Sequence, residues 1–194
     1  MDRVNAILNF WFGNPAVAGS EYGQQRQVWF KKDPAFDATI RSLFLSDYEQ
    51  AAAGHLISWQ TQPRSCLALI VLLDQFPRNL FRGSPRSFAT DAQALATARH
   101  AVQQGFDQKL LPVERIFVYL PFEHSENLAD QHTSVSLAQA LVKQNPELEN
   151  ILEYSIRHRD VIKRFGRFPH RNTVLGRETT PEEAAFLELP GSRF

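Results

Sequence analysis

Cysteine is almost missing from this 194-residue chain: the one thiol, Cys66, lies inside the apolar run from Cys66 to Leu73. A single thiol cannot close an intrachain disulfide, and a chain of this size buries enough surface to fold without one. A reducing compartment, the cytoplasm, is the expectation. No stretch approaches the ~18 consecutive apolar residues of a membrane span, and the start, Met1 to Phe12, has no basic region followed by a long apolar segment. Net charge is also lacking, since 21 basic and 21 acidic side chains cancel. That removes the electrostatic footprint of a general nucleic-acid binder. Neither nucleic acid nor a membrane is expected as a partner.

Specific motifs are equally scarce. There is no Gly-x-x-x-x-Gly-Lys-Ser/Thr loop and no Gly-x-Gly-x-x-Gly after a strand, so nothing points to a nucleotide. Ser125 follows His124 directly, but the Gly-x-Ser-x-Gly elbow that exposes a nucleophile is missing. Neither Glu-x-x-His nor His-Glu-x-x-His occurs. His124 and His132 are eight positions apart, about 80° round a helix. No metal site is therefore assigned, and the sequence identifies no cofactor.

What is present is helix. Val4, Ile7, Leu8 and Trp11 follow one helical face up to Gly13-Asn14-Pro15. A short helical segment around Gln24 to Lys31 should dock Val28, Trp29 and Phe30. Asp33-Pro34 is a start signal, and Phe36, Ile40, Leu43 and Phe44 mark the next buried stripe, which runs on towards Gly54. From Pro63 to Phe76 there are 14 residues, apolar nearly all round. That is too long for an ordinary strand and suits a covered central helix ending at Asp74 and Gln75. Phe76 to Pro85, with two prolines and a glycine, reads as an ordered loop.

Further helices follow Thr90-Asp91-Ala92-Gln93, a capping-box pattern, and Pro112. Pro121 should kink or end the second of these, because it removes a donor and crowds the preceding turn. New helices start near Asn127 and Asn145-Pro146, and Thr180-Pro181-Glu182-Glu183 is another capping box. About eight or nine helices and no alternating strand pattern predict an all-α fold. No linker divides it, so residues 1–194 read as a single domain of antiparallel helical hairpins, stacked as a bundle or superhelix.

The zero net charge hides an asymmetry. Arg157 to Arg177 holds seven Lys or Arg against one acid, Asp160. Acids before and after it suggest internal pairing, with a surface anion site as the competing reading.

Chemistry-bearing residues concentrate between Tyr119 and His132. Glu123, Glu126 and Asp130, on a continuous helix, would share a face and repel unless arginines, a cation or a proton compensated them. His124, between Glu123 and Glu126, is the candidate acid–base group, because a carboxylate can orient one ring nitrogen and leave the other to exchange protons. A capping or core histidine is the bland alternative. His158, His170, Arg167, Arg171 and Asn172 form a second polar group whose guanidinium forks suit a phosphate or carboxylate. Phe76-Pro77-Arg78-Asn79 is echoed by Phe168-Pro169-His170-Arg171-Asn172. Chance similarity is the weightier explanation, but a shared ligand would bring Arg78, Asn79, Arg171 and Asn172 together.

Taken together, Leu8 to Gly13, Leu73 to Gly83, Tyr119 to Glu126, Arg164 to Asn172 and the ending Pro190-Gly191-Ser192-Arg193-Phe194 resemble an uncharacterised bacterial family known as domain of unknown function 924. The resemblance covers essentially the whole chain. It implies a tetratricopeptide-like all-helical superhelix and no established activity, although the 34-residue repeat consensus is not visible.

Three readings follow. The first is a small-molecule site, with His124, Glu123 and Glu126 doing any chemistry and Asp74, Gln75, Arg78, Asn79, Gln131, His170, Arg171 and Asn172 lining it around a small anionic ligand. The second is a helical-repeat module that holds a peptide or protein, its polar motifs acting as struts. The third makes the same motifs structural networks in a self-associating protein; the sequence does not set an oligomeric state.

Overall fold

The structure, a computed structural model, describes residues 2–192. Met1, and the Arg193 and Phe194 of the terminal motif, lie outside the described residues. Among those described there is no strand, and helices α1 to α9 are connected by loops, short 3-10 turns and one π-helical turn. The all-α expectation holds. Contacts divide the chain into two compact units: one runs up to Arg82 and includes Arg86–Pro121, the other takes Gly83–Pro85 and everything from Phe122. None of the helices described is long and apolar enough to cross a membrane.

The first unit is built round aromatic rings. Helix α1 (Arg3–Phe12) starts at Asp2, whose carboxylate accepts the Val4 N–H, and buries Ile7, Leu8, Trp11 and Phe12. Its last carbonyls would be orphans. Arg26 Nη1 reaches Phe10 O at 2.9 Å and Trp11 O at 2.6 Å, and Trp29 Nε1 reaches Trp11 O at 2.8 Å. The Trp11 ring meets Trp29, Phe36, Phe76 and Phe117 at centroid distances of 5.6–6.3 Å. Only a single 3-10 turn, Gln27–Trp29, forms here, and one turn cannot aim three consecutive apolar side chains inward. Phe30, expected to dock, is 63% exposed.

Helix α2 (Pro34–Ala52) is capped by Asp33 and passes Ser46 and Asp47 unbroken. Ile40, Phe44, Tyr48 and Ala51 form its buried stripe, and Leu43 falls off the edge at 51% exposure.

The central helix departs from expectation at its end. Helix α3 (Pro63–Ile70) leads into a π-helical turn, Val71–Gln75, and then α4 (Phe76–Leu80), so Phe76 to Leu80 is helical where a loop was expected. Proline explains the π turn. Pro77 has no N–H to give the Leu73 carbonyl four residues back. The turn widens so that Phe76 N–H bonds Val71 O, and the Leu73 oxygen is taken by the Thr90 hydroxyl at 2.6 Å. Thr90 therefore precedes α5 (Asp91–Gln103) without capping it, and Gln93 donates to Ala52 O instead. The expected capping box is not formed. Helix α6 (Pro112–Glu123) contains Pro121 in its last turn and ends two residues later.

In the second unit α7 (Leu128–Gln144), capped by Asn127, pairs with α8 (Glu149–Phe165) as a helical hairpin joined by the 3-10 turn Pro146–Leu148. The buried stripe of α8 is Ile151, Ser155, His158 and Ile162: helical spacing with two polar residues set in an apolar row. Gly166, at φ 69°, closes α8 in the left-handed conformation that a side chain would disfavour, its N–H on Ile162 O at 2.8 Å. Val161, Ile162 and Phe168 form a small core under Phe165 and Phe186. Helix α9 (Pro181–Leu187) opens with the expected capping box of Thr180 and Glu183.

Candidate functional site

Between α6 and α7 the chain turns, so Glu123, Glu126 and Asp130 do not share one helical face as the sequence suggested. Each carboxylate has its own partners within the second unit. Glu123, at the end of α6 and 5% exposed, accepts from Ser155 Oγ at 2.6 Å and lies 3.2 Å from His158 Nδ1. Glu126 receives both ends of the Arg177 guanidinium, at 2.7 and 3.0 Å, and the Phe168 N–H at 2.8 Å. Asp130 accepts from Ser125 Oγ at 2.8 Å.

Burial by itself would raise the Glu126 pKa. The Arg177 fork and the Phe168 N–H, helped by the charges of Arg177 and Arg171, outweigh it and hold this carboxyl below its ordinary range.

His158 behaves in the opposite sense. Burial disfavours its cation, and the nearby His124, Arg171 and His170 add to that, so its pKa falls to about 3 although the Tyr154 carbonyl acts to raise it. The 3.2 Å approach of Glu123 also favours the cation, but burial of the whole ring dominates. The Tyr154 oxygen, 2.9 Å from Nδ1, can only accept. Nδ1 therefore carries the proton of a neutral ring, and the Nε2 lone pair is the basic one.

Around this pair the structure gathers most of the predicted residues of the unit. Arg171 Nη1 donates to the His124 carbonyl at 3.0 Å, and its guanidinium lies over the Phe168 ring. Phe168 also packs against the rings of His158 and His170. Gln131, fully buried, clamps the Glu123 and Ser125 carbonyls at 2.6 and 2.7 Å. Those two acceptors set its amide orientation and leave Oε1 without a donor among the described residues. Asn172 accepts from Arg177 Nε at 3.0 Å and donates to Glu183 at 3.2 Å, while Glu183 takes Arg167 Nε at 2.6 Å. His124, Glu126 and His170 are half-buried, whereas Glu123, Gln131, His158, Arg171 and Asn172 are buried.

Asp74, Gln75, Arg78 and Asn79 belong to the first unit. Asp74, in the π turn and fully buried, accepts from Gln75 Nε2 at 2.5 Å. Arg78 bonds the Ser87 carbonyl, pairs with Asp91 at 2.8 Å and covers the Phe88 ring. Asn79 links Gln75 O to Arg82. The two echoed segments also differ in form, one a helix and the other a 3-10 turn, Pro169–Arg171, which agrees with chance similarity.

No group of three His, Cys, Asp or Glu side chains among the described residues is placed to hold a metal ion. Sequence reasoning named His158 in the second polar group without placing it in the site, and left Ser155, Arg177 and Glu183 out of both. The signal for Ser155 and His158 was available, since both interrupt the apolar stripe of α8 at buried positions.

Residues 7–191 match the family described as "Bacterial protein of unknown function (DUF924)". The chain belongs to this family. Among solved structures it is similar to the protein of unknown function ATU0120 from Agrobacterium tumefaciens, with 41% identity, a TM-score of 0.84 and coverage of 96% of this chain and 97% of that one. No curated protein matches it. Membership of this family confirms the resemblance read from the motifs and brings no activity with it.

Proposed function

We propose that the second unit of this family member binds a small anion at the half-buried edge formed by His124 and His170, beside Arg171 and above the Glu123–His158 pair, and moves a proton there. The observation that carries this reading is the pair itself. Burial keeps the His158 ring neutral, its Nδ1 set against a buried carboxylate and the Tyr154 carbonyl, within electrostatic reach of two further imidazoles and a guanidinium. Imidazoles and an arginine together favour an anion, and an imidazole at the edge can exchange a proton with it. Glu123 orients, His124 is the acid–base group, and Glu126, locked to Arg177, positions the segment. Gln131, His170, Arg171 and Asn172 complete the wall. Asp74, Gln75, Arg78 and Asn79 take structural roles in their own unit.

The reading places the protein in the cytoplasm, which the lone buried thiol supports. The α7–α8 hairpin is the kind of unit that stacks into a tetratricopeptide-like superhelix. The test is histidine-detected NMR during titration with inorganic phosphate and then with a panel of small carboxylates. Selective movement of the His124 and His170 signals, lost in His170→Gln, is expected. If those signals stay still, or move no more than those of the exposed His55 and His132, the reading fails.

A further inference from the structure

We propose that the first unit binds a small monocarboxylate such as acetate at the guanidinium of Arg115, in a site independent of the histidine edge of the second unit. Asp107, Arg115 and Tyr119 build it, all within Arg86–Pro121. Arg115 and Tyr119 are four positions apart on α6, so their side chains lie one above the other on the same helical face. Asp107 comes from the 3-10 turn Asp107–Lys109, just before α6. Tyr119 OH donates to Asp107 Oδ2 at 2.7 Å and accepts from Arg115 Nε at 3.2 Å. Asp107 is 2% exposed, Tyr119 3% and Arg115 7%.

The phenol sets the direction of these bonds. Burial and then the Asp107 bond push the Tyr119 pKa well above its ordinary value, against the opposing pull of Arg115, so the hydroxyl keeps its proton. That proton goes to Asp107, and an oxygen lone pair is left for Arg115 Nε. Gln108 Nε2 adds a second bond to the same Asp107 oxygen at 2.6 Å. The carboxylate therefore fixes the guanidinium through the phenol, without touching it.

What remains is a buried cation whose far end is unmatched. Nη1 and Nη2 of Arg115 make no hydrogen bond among the described residues, yet neither is sealed from water. The adjacent carboxylate, Glu114, is directed elsewhere: it takes the Leu111 N–H at 3.0 Å and lies 3.5 Å from Arg64 Nη1. A guanidinium is permanently charged, and a desolvated charge is met best by an ion of opposite sign. One N–H from each terminal nitrogen forms a fork that fits both oxygens of a planar carboxylate. Charge selects the class: a single cation, with Asp107 already behind the phenol, suits one negative charge better than a phosphate dianion. Depth selects the size, since an arginine this deeply buried admits a small headgroup and excludes a bulky one.

The probe is sodium acetate, with sodium phosphate and sodium chloride at matched ionic strength as comparisons, added to the full chain while the arginine ¹⁵Nε–¹Hε signals are followed by NMR. Acetate is expected to move the Arg115 signal with a dissociation constant of about 1 mM or lower, and phosphate to act at least about tenfold more weakly. His170→Gln should leave that response intact, which separates this site from the histidine edge. Made in the His170→Gln background, Arg115→Gln should abolish the rise in melting temperature that acetate gives beyond chloride. An Arg115 signal that stays still up to about 10 mM acetate, or that moves equally with all three salts, overturns the proposal. So does an acetate response that vanishes in His170→Gln, or one that persists in the folded double variant.

Discussion

Nδ1 of His158 faces two acceptors at once, the Tyr154 carbonyl at 2.9 Å and the Glu123 carboxylate at 3.2 Å. Both acceptors favour the cation, but burial inside the helical hairpin outweighs them and keeps the ring neutral, its pKa lowered from 6.5 to about 3. In the unfolded chain the same imidazole protonates normally. Between those two values the unfolded state binds the extra proton, so stability falls as pH drops through 6.5 and continues to fall towards 3. Long-range ¹H–¹⁵N spectra should show one imidazole fixed as the Nδ1–H tautomer from pH 8 to pH 5. Replacement by Asn should remove that signal and flatten the acid limb of the melting curve; a cationic His158 at pH 6 would contradict the assignment.

Glu126 and Arg177 form a two-pronged ion pair in which both side chains are partly shielded from water. Charge-assisted bonds of this kind contribute more than neutral ones. Glu126→Gln should cost about 2 kcal/mol, because the Phe168 N–H keeps an acceptor while the guanidinium loses its charge partner. Arg177→Gln should cost a similar amount, and the double variant little more than either. Additive losses in a denaturant double-mutant cycle would show that the pair is not coupled.

Helix periodicity and caps were legible because they depend on neighbours in sequence: the Asp33, Asn127 and Thr180 starts are where the residues placed them. The errors share a cause. Thr90 has the local pattern of a cap, but its hydroxyl goes to Leu73, an acceptor created by Pro77 and reached only through the fold. Glu123 and His124 were singled out together as chemistry-bearing, yet the imidazole seen on Glu123 comes from 35 positions later in the chain. Alternation of polar and apolar residues reports which face is buried; it does not report which buried polar groups meet.

Glu183 is 2% exposed and shares Arg167, Asn172 and the Thr180 N–H. The bond from Arg167, opposed by burial and helped by Thr180, brings its pKa from 4.5 to about 2. A lowered carboxyl pKa adds stability that is complete above the unfolded value and lost as pH falls through the folded one. Glu183→Gln should therefore melt below wild type at pH 7, with the gap closing as pH falls from 4.5 towards 2. A gap independent of pH in thermal melts would mean that packing, and not charge, is lost.

Cys66 is fully buried, and burial pushes its thiol up to about 12. Thiolate is the reactive form, so an aromatic disulfide reagent should not label the native protein over hours at pH 8 and should label it at once in denaturant. Prompt labelling of the native state would place α3 among the locally opening elements.

Pro77 and Thr90 should prove thermodynamically coupled. Thr90→Val leaves the buried Leu73 carbonyl without the 2.6 Å hydroxyl that now satisfies it, a loss of about 2 kcal/mol. At this chain length that corresponds to a melting shift of roughly 4–8 °C. Pro77→Ala restores an N–H positioned to bond the same carbonyl once the helix resumes after the π turn. The Thr90→Val penalty measured in the Pro77→Ala background should thus fall to less than about half its wild-type value. Equal penalties in the two backgrounds, read from urea midpoints, would mean that Thr90 stabilises its site by packing and that the π turn has another cause.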